Sequence, residues 1–100
     1  MVDALGIVET LGFTAAVQVA DAAVKSANVR LGKWVKVGGG RVAIVIRGDV
    51  AAVTAAVDAG GQAGKAIGTV HAEIIIPRPS EKLLPKFKLD PMVPAKELAK

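Results

Sequence analysis

Three consecutive glycines, Gly38, Gly39 and Gly40, stand between two apolar runs and could offer a bare backbone to another molecule. Glycine lacks a Cβ, so it reaches positive φ freely and lets another group approach the main chain closely. The segment can therefore form a hairpin turn, a phosphate cradle, or a backbone-lined opening in an assembly. A dinucleotide-binding cradle must open a helix, whereas the strand-like residues 42–46 follow here.

A second segment, Gly64-Lys65, resembles the end of the P-loop that binds nucleotide phosphates. In that motif a first glycine shapes the loop, and a Ser or Thr after the lysine binds magnesium. Ala59 and Ala66 occupy these two positions here, so the segment lacks a magnesium ligand. We therefore expect no nucleotide cofactor at this segment.

Side chains that could carry catalysis or hold a metal are few. His71 is the only histidine, so a Ser-His-Asp relay would have to use it, and a metal site would need mostly carboxylates. Its alternation with Glu73 along a predicted strand favours a solvated face. The chain has no cysteine, which excludes disulfides, thiolate zinc sites and cysteine nucleophiles. We predict no catalytic residue, no metal site and no cofactor.

The composition indicates one domain that gains stability by association. The chain has 100 residues, 52% of them hydrophobic, yet Phe13, Trp34 and Phe87 are its only aromatic residues. Small apolar side chains allow backbones to pack closely but each buries little area, so we expect subunit contacts to complete the core. The net charge is +4, and five lysines after position 80 make the predicted folded body only mildly basic.

No segment of the sequence has the pattern of a signal peptide or of a transmembrane helix. The N-terminus lacks the basic region of a signal peptide, and no uncharged run reaches the roughly 18 apolar residues that a transmembrane helix needs. We therefore expect an intracellular, soluble protein with no membrane partner.

The periodicity of the first half predicts a strand at residues 4–9 and a helix at residues 13–27. One face of that helix is predicted to pack on a sheet and consists of Phe13, Val17, Ala20, Val24 and Ala27. The predicted exposed face carries Thr14, Gln18, Asp21 and Lys25. Strands at residues 29–37 and 41–47 then flank the glycines.

The second half repeats this order with a helix and a strand. Asp49 is the predicted N-cap of a helix. Its predicted buried face consists of Val50, Val53, Val57, Gly60, Gly64 and Ile67. A strand at residues 69–76 ends at Pro77, and Arg78 is held in an extended segment before Pro79. Ser80 is expected to cap a short turn that Pro85 stops, so we divide the chain into a domain at residues 1–85 and a flexible tail at residues 86–100.

This order predicts an α+β fold, a ferredoxin-like βαββαβ sandwich with one antiparallel sheet, two helices, a short C-terminal helix and the flexible tail. RNA-recognition modules share the fold but stack bases on aromatic residues of the central strands, which residues 42–46 lack. Trp34 between Lys33 and Lys36 is the only candidate stacking platform. We therefore expect no nucleic-acid partner.

Five blocks of the chain together resemble one family, the single-domain, hexamer-forming shell proteins of bacterial microcompartments. The resemblance runs from about residue 4 to residue 84, with the blocks in the family's order and spacing. They are residues 4–10 (ALGIVET), 20–29 (ADAAVKSANV), 36–40 (KVGGG), 45–50 (VIRGDV) and 76–79 (IPRP).

The resemblance implies that six copies form a flat disc, that discs tile with other shell proteins in the cytoplasm, and that the shell encloses enzymes. It implies a pore for small polar or anionic metabolites at the sixfold axis, lined by Lys36, Val37, Gly38, Gly39 and Gly40. Lys25, Asn28 and Arg78 match the family's positions at the edge of the hexamer. Many members carry Ser where Gly39 stands. The all-glycine loop resembles some carboxysome shells, whereas Lys36 resembles catabolic compartments, so the compartment type stays open.

Two other function classes fit a ferredoxin-like domain. A regulatory oligomer could hold a small effector between glycine loops of neighbouring subunits. An enzyme would need titratable groups that converge on a pocket, whereas the acidic residues here lie mostly along predicted helix faces. Asp21 and Lys25 are spaced as an i, i+4 pair that stabilises a helix by only a few tenths of a kcal/mol.

Overall fold

A single sheet carries the fold in the computed structural model, which describes residues 3–87. The elements in chain order are β1 (Ala4–Leu11), α1 (Phe13–Ser26), β2 (Arg30–Leu31), β3 (Val35–Gly38), β4 (Arg41–Gly48), α2 (Val50–Ile67), β5 (Val70–Ile76) and α3 (Leu83–Phe87). The sheet order is β2-β4-β1-β5, β3 also pairs with β4, and every pairing is antiparallel. This architecture confirms the predicted ferredoxin-like α+β fold.

The predicted strand at residues 29–37 is divided into β2 and β3. Leu31 lies opposite Ile46 and Val35 lies opposite Ala43, so three residues on this edge face only two on β4. The extra residue interrupts the ladder as a bulge does. The amide of Gly32 still donates to the carbonyl oxygen of Val45 over 2.6 Å, which holds the segment against the sheet.

Helix α1 buries a different face from the predicted one. Its buried residues are Ala15, Ala16, Val19 and Ala23. Phe13, Val17 and Val24 are exposed, although Ala20 and Ala27 do pack against the core as predicted. The cause lies in α2, because a Cβ on Gly60 would lie 3.0 Å from the backbone carbonyl oxygen of Val19. Two backbones this close leave room between them for small side chains, so the larger apolar residues point away.

Helix α2 begins as predicted, since the Asp49 carboxylate accepts a hydrogen bond from the Ala52 amide over 2.9 Å. Within its predicted apolar face, Val53, Val57, Gly60 and Gly64 are buried. Val50 and Ile67 are exposed, which corrects the prediction for the two ends of the helix. The buried face is completed by Ala56 and Gly61.

The second face of the sheet carries a smaller apolar cluster under α3. Leu5 and Val45 are buried there, and partly buried Ile7, Ile76, Leu83 and Leu84 pack on them. Ser80 Oγ accepts from the Lys82 amide over 3.2 Å, as expected of a cap. The prediction that Pro85 stops the turn is wrong, because α3 continues to Phe87 and a first-turn proline needs no amide partner. Residues 88–100 of the predicted tail lie outside the described residues.

Candidate functional site

The three glycines form the exposed tip between β3 and β4. Their φ angles are +102° at Gly38, +63° at Gly39 and +80° at Gly40, all in the range that favours glycine. A Cβ on Gly38 or Gly39 would meet no atom within 4 Å, and Lys36 and Val37 are exposed beside them. The local structure is a hairpin turn, and the chain continues from it into β4 and not into a helix, as a dinucleotide-binding cradle would require.

Backbone hydrogen bonds fix this tip to one end of the sheet. The amide of Gly12, just before α1, donates to the Gly40 carbonyl oxygen over 2.7 Å. The amide of Leu11 donates to the Thr69 carbonyl oxygen, just before β5, over 3.0 Å. The starts of α1 and β5 therefore lie at the same end of the sheet as the glycines.

The predicted edge residues lie at the opposite end. Helix α1 starts beside the glycines, so Lys25 in its last turn lies far from them. The carbonyl oxygen of Asn28 lies against Gly48, the last residue of β4, and Arg78 follows the end of β5. Strands of seven or eight residues span about 25 Å, which is the approximate distance between the two ends.

All three edge residues are exposed. Lys25 Nζ lies 2.9 Å from Asp21 Oδ2, which confirms the pair expected along α1. Within residues 3–87, no hydrogen bond or ion pair joins the side chains of Lys25, Asn28 and Arg78 to one another. The protomer leaves them directed to solvent at one end of the molecule.

Trp34 forms an exposed aromatic cluster at the β3 edge of the sheet. Its ring meets that of Phe13 edge-on, with centroids 5.3 Å apart and planes at 63°, and Lys36 Nζ lies 5.9 Å from its centroid. Both rings line an apolar groove of about 210 Å³ between α1 and the strands. Sequence reasoning considered Trp34 for base stacking and assigned Phe13 to the core. Gly60 and Gly64 of α2 were the signal in the sequence, because glycines on a buried helix face let a second helix pack so closely that its large residues face outward.

A larger groove lies at the other edge of the sheet, between α2 and β5, and sequence reasoning missed it. Its volume is about 730 Å³. It is lined by Val50, Ala51, Thr54, Ala55, Val57, Asp58, Glu73, Ile74 and Ile75. Glu73 Oε2 lies 3.0 Å from Lys65 Nζ, and Asp58 Oδ2 accepts a hydrogen bond from Gln62 over 3.1 Å. The groove is thus apolar with two carboxylates at its wall.

His71 is exposed and lies at an irregularity of β5. Glu9 and Thr10 of β1 pair with Ala72 and Val70, so His71 is the residue without a counterpart. Within the part of the chain that the structure describes, no three acidic or histidine side chains are grouped as metal ligands. No helix among these residues has the length and apolar character needed to cross a bilayer.

Comparisons with known proteins agree on one family. Residues 4–79 match the model of the BMC domain. The chain is 55% identical over 87 residues to the bacterial microcompartment shell protein PduA of Citrobacter freundii, a match that covers 84% of this chain and 94% of that one. It is 49% identical over 82 residues to the carboxysome shell protein CcmK2 of Synechococcus elongatus, covering 80% of each.

A solved structure has the same fold. The crystal structure of a microcompartment protein from Desulfitobacterium hafniense DCB superposes with a TM-score of 0.75 at 32% sequence identity. The match covers 83% of this chain and 47% of the crystallised one, so the chain spans about half the length of that protein.

Proposed function

This chain belongs to the BMC-domain family of bacterial microcompartment shell proteins, and from that premise we propose that six copies form a disc with a central pore. The exposed turn of three glycines is the observation that carries the proposal. It is exposed at one end of the molecule, and a Cβ on Gly38 or Gly39 would meet no atom within 4 Å. At a sixfold axis, six such tips line an opening.

Exposed apolar surface on both edges of the sheet supports a ring. Phe13, Val17 and Trp34 are each about half exposed on the β3 side, and Val50 and Ile74 are similarly exposed on the α2–β5 side. Apolar surface of this extent marks contact sites. The two surfaces differ, and contact between two different surfaces of identical copies produces a closed ring when the rotation closes.

The charge near the turn suits small polar or anionic metabolites. Lys36 is exposed two residues before Gly38, so six copies bring six cations near the opening. Free backbone amides and clustered cations both favour negative ligands. No residue of the turn is large enough to act as a gate, so the pore selects by width and charge.

Lys25, Asn28 and Arg78 then lie at the outer rim, where discs meet one another and other shell proteins. The shell formed in this way encloses enzymes, and the subunit itself has a structural and transport role without catalysis. The rim assignment is supported by the distance between the two ends of the sheet. Each rim contact is weak alone, since exposed charge pairs contribute roughly 0 to 1 kcal/mol.

Light scattering after gel filtration tests the proposal, and electron microscopy of the concentrated protein extends the test to tiling. We expect the mass of six chains at micromolar concentration, extended sheets on concentration, and no turnover by the isolated protein. A monomer or trimer that binds a small effector would instead support a regulatory oligomer.

A further inference from the structure

The proposed ring determines which surfaces of neighbouring copies must meet. If the glycine turn faces the axis, Lys25 faces outward and the sheet lies in the plane of the disc, the two edges of the sheet are the sides that face the neighbours. The edge formed by β3 in one copy then faces the edge formed by β5 in the next. Resting on the proposed function, we propose that Trp34 of one copy packs into the groove between α2 and β5 of its neighbour.

Trp34 has the properties of an anchor in such a contact. It is 48% exposed, and its partner ring, Phe13, is 56% exposed. Its ring meets that of Phe13 edge-on, and the Lys36 ammonium lies over the same indole. Large, rigid aromatic side chains that enter a neighbour's pocket dominate the energy of most protein interfaces. An indole left half exposed beside a second ring therefore indicates a surface that a partner covers.

The groove between α2 and β5 has the matching shape and character. Its volume of about 730 Å³ is large enough for a bulky side chain. Val50 and Ile74, which line it, are about half exposed in the protomer. Small residues of α2, Ala51 and Ala55, form its wall and leave room for a ring.

The register across the sheet puts Trp34 and the groove at the same distance from the glycine turn. Four residues on four strands share one level: Val35, Ala43, Glu9 and Ala72. Trp34 precedes Val35 and Glu73 follows Ala72, so both lie one step further from the turn. In a ring, surfaces at equal distance from the axis on opposite sides of a subunit are the ones that meet.

The two groups also lie on the same face of the sheet. Trp34 contacts Phe13 of α1, and Glu73 forms its ion pair with Lys65 of α2. Both helices cover this face, since α1 and α2 share the main core cluster. Trp34 therefore reaches the neighbour on the side of the groove and not on the side of α3.

Charge supports the same pairing. Lys36 lies beside Trp34, and Asp58 and Glu73 lie at the groove. Within residues 3–87, the Asp58 carboxylate has no cationic partner within 4.0 Å. A cation at one edge and an acidic wall at the other favour contact between unlike edges over contact between two copies of the same edge.

Trp34 is the only tryptophan, so its fluorescence reports this contact directly. The experiment measures iodide quenching of the protein, with light scattering of the same sample and free N-acetyltryptophanamide as the exposed reference. We expect a hexamer whose tryptophan emission lies at shorter wavelength than that of the reference. We also expect iodide to quench the Trp34 indole far less than it quenches the reference.

Two variants and one control connect the signal to the groove. Trp34→Ala and Asp58→Lys should each raise the protein concentration needed for half assembly, the first by about tenfold or more. Glu81→Lys makes the same charge change as Asp58→Lys at an exposed turn outside the groove and should leave assembly unchanged. Circular dichroism confirms that each variant is folded.

The possible results distinguish a failure of the Trp34 contact from a failure of the proposed hexamer. A hexamer in which Trp34 stays as open to iodide as a half-exposed side chain, or in which Asp58→Lys behaves like Glu81→Lys, overturns the contact and leaves the shell function standing. A protein that never reaches six chains overturns the proposed function and the contact with it.

Discussion

The Gly12 amide donates a hydrogen bond to the Gly40 carbonyl oxygen over 2.7 Å. This bond ties the glycine turn to the start of α1, and β4 holds the same turn to the central strand β1. The position of the turn is thus determined by the core of the protomer, while its tip stays open. Changes at the tip should alter the opening without altering the fold.

Gly39 is the glycine of the three that best accepts a side chain. Its φ of +63° lies in the left-handed region that other residues reach at a cost of about 1 to 2 kcal/mol, whereas the φ of +102° at Gly38 lies outside it. We predict that Gly39→Ser lowers the free energy of unfolding by about 1 kcal/mol and that Gly38→Ser lowers it more. Urea unfolding of both variants measures the difference, and equal losses would contradict the assignment.

A larger residue at the same position should narrow the opening. No atom lies within 4 Å of a Cβ on Gly39, so we predict that Gly39→Leu leaves the hexamer intact and slows the passage of small solutes through assembled shells. Light scattering measures the oligomer, and dye entry into closed shells measures passage. Unchanged entry of a dye close to the limiting size would show that Gly39 does not line the opening.

Lys36 should control the charge preference of the opening. We predict that Lys36→Gln slows the entry of an anionic dye more than that of a neutral dye of the same size, because six cations near the axis are removed. Lys82→Gln removes the same charge from an exposed turn away from the tip and serves as the control. The effect of Lys36→Gln on the entry of the anionic dye should become smaller at high salt, since exposed charges are screened. Equal effects of the two variants would place Lys36 away from the opening.

Lys25 should determine tiling and not hexamer formation. Its side chain is 74% exposed, and its one ion pair among residues 3–87 is with Asp21 of the same helix. We predict that Lys25→Asp abolishes extended sheets without lowering the hexamer fraction, because weak edge contacts accumulate over the six edges of a disc. Lys86→Asp, on α3, is the matched control. Electron microscopy of wild type and both variants at equal concentration tests this prediction. Unchanged sheets in the Lys25→Asp protein would show that Lys25 is not an edge residue.

The close approach of α1 and α2 predicts opposite tolerance at two neighbouring glycines. A Cβ on Gly64 would lie 2.7 Å from Val19 Cγ2 and 2.9 Å from Val70 Cγ2, both inside the core. Overpacking there costs about 1 to 3 kcal/mol, which equals or exceeds the gain of about 1 kcal/mol in helix propensity. The three atoms nearest to a Cβ on Gly61 all belong to the Glu73 carboxylate, the end of a flexible side chain.

We therefore predict that Gly64→Ala lowers the free energy of unfolding by up to about 2 kcal/mol, whereas Gly61→Ala changes it little. Chemical denaturation of the two variants under identical conditions measures both. A Gly64→Ala protein as stable as wild type would show that the helices can separate without loss, contrary to the packing described.

The sequence predicted the order of elements and the location of the turn because these depend on local signals. Alternating apolar residues, the Asp49 cap and the glycines each act over a few positions. The buried face of α1 was predicted wrongly because it depends on which residues of α2 oppose it. Periodicity identified Phe13, Val17 and Val24 as one apolar face, but it could not tell a face that packs on the sheet from one that stays exposed on the protomer.

The candidate site likewise has parts that could be predicted from the sequence and parts that could not. The resemblance assigned the residues of the turn and of the rim, and the structure puts these two sets at opposite ends of one sheet. The groove between α2 and β5 was not predictable, since its lining by Val50, Asp58 and Ile74 depends on how the helix packs beside the edge strand. The level shared by Trp34 and Glu73 likewise depends on the register of four strands.

A high-resolution electron microscopy structure of the assembled protein would show where the glycine turn lies. We expect six copies around one axis, with Gly38, Gly39 and Gly40 of each copy lining the opening and Lys25 at the outer rim. An assembly in which the glycine turn lies away from every symmetry axis would contradict this expectation.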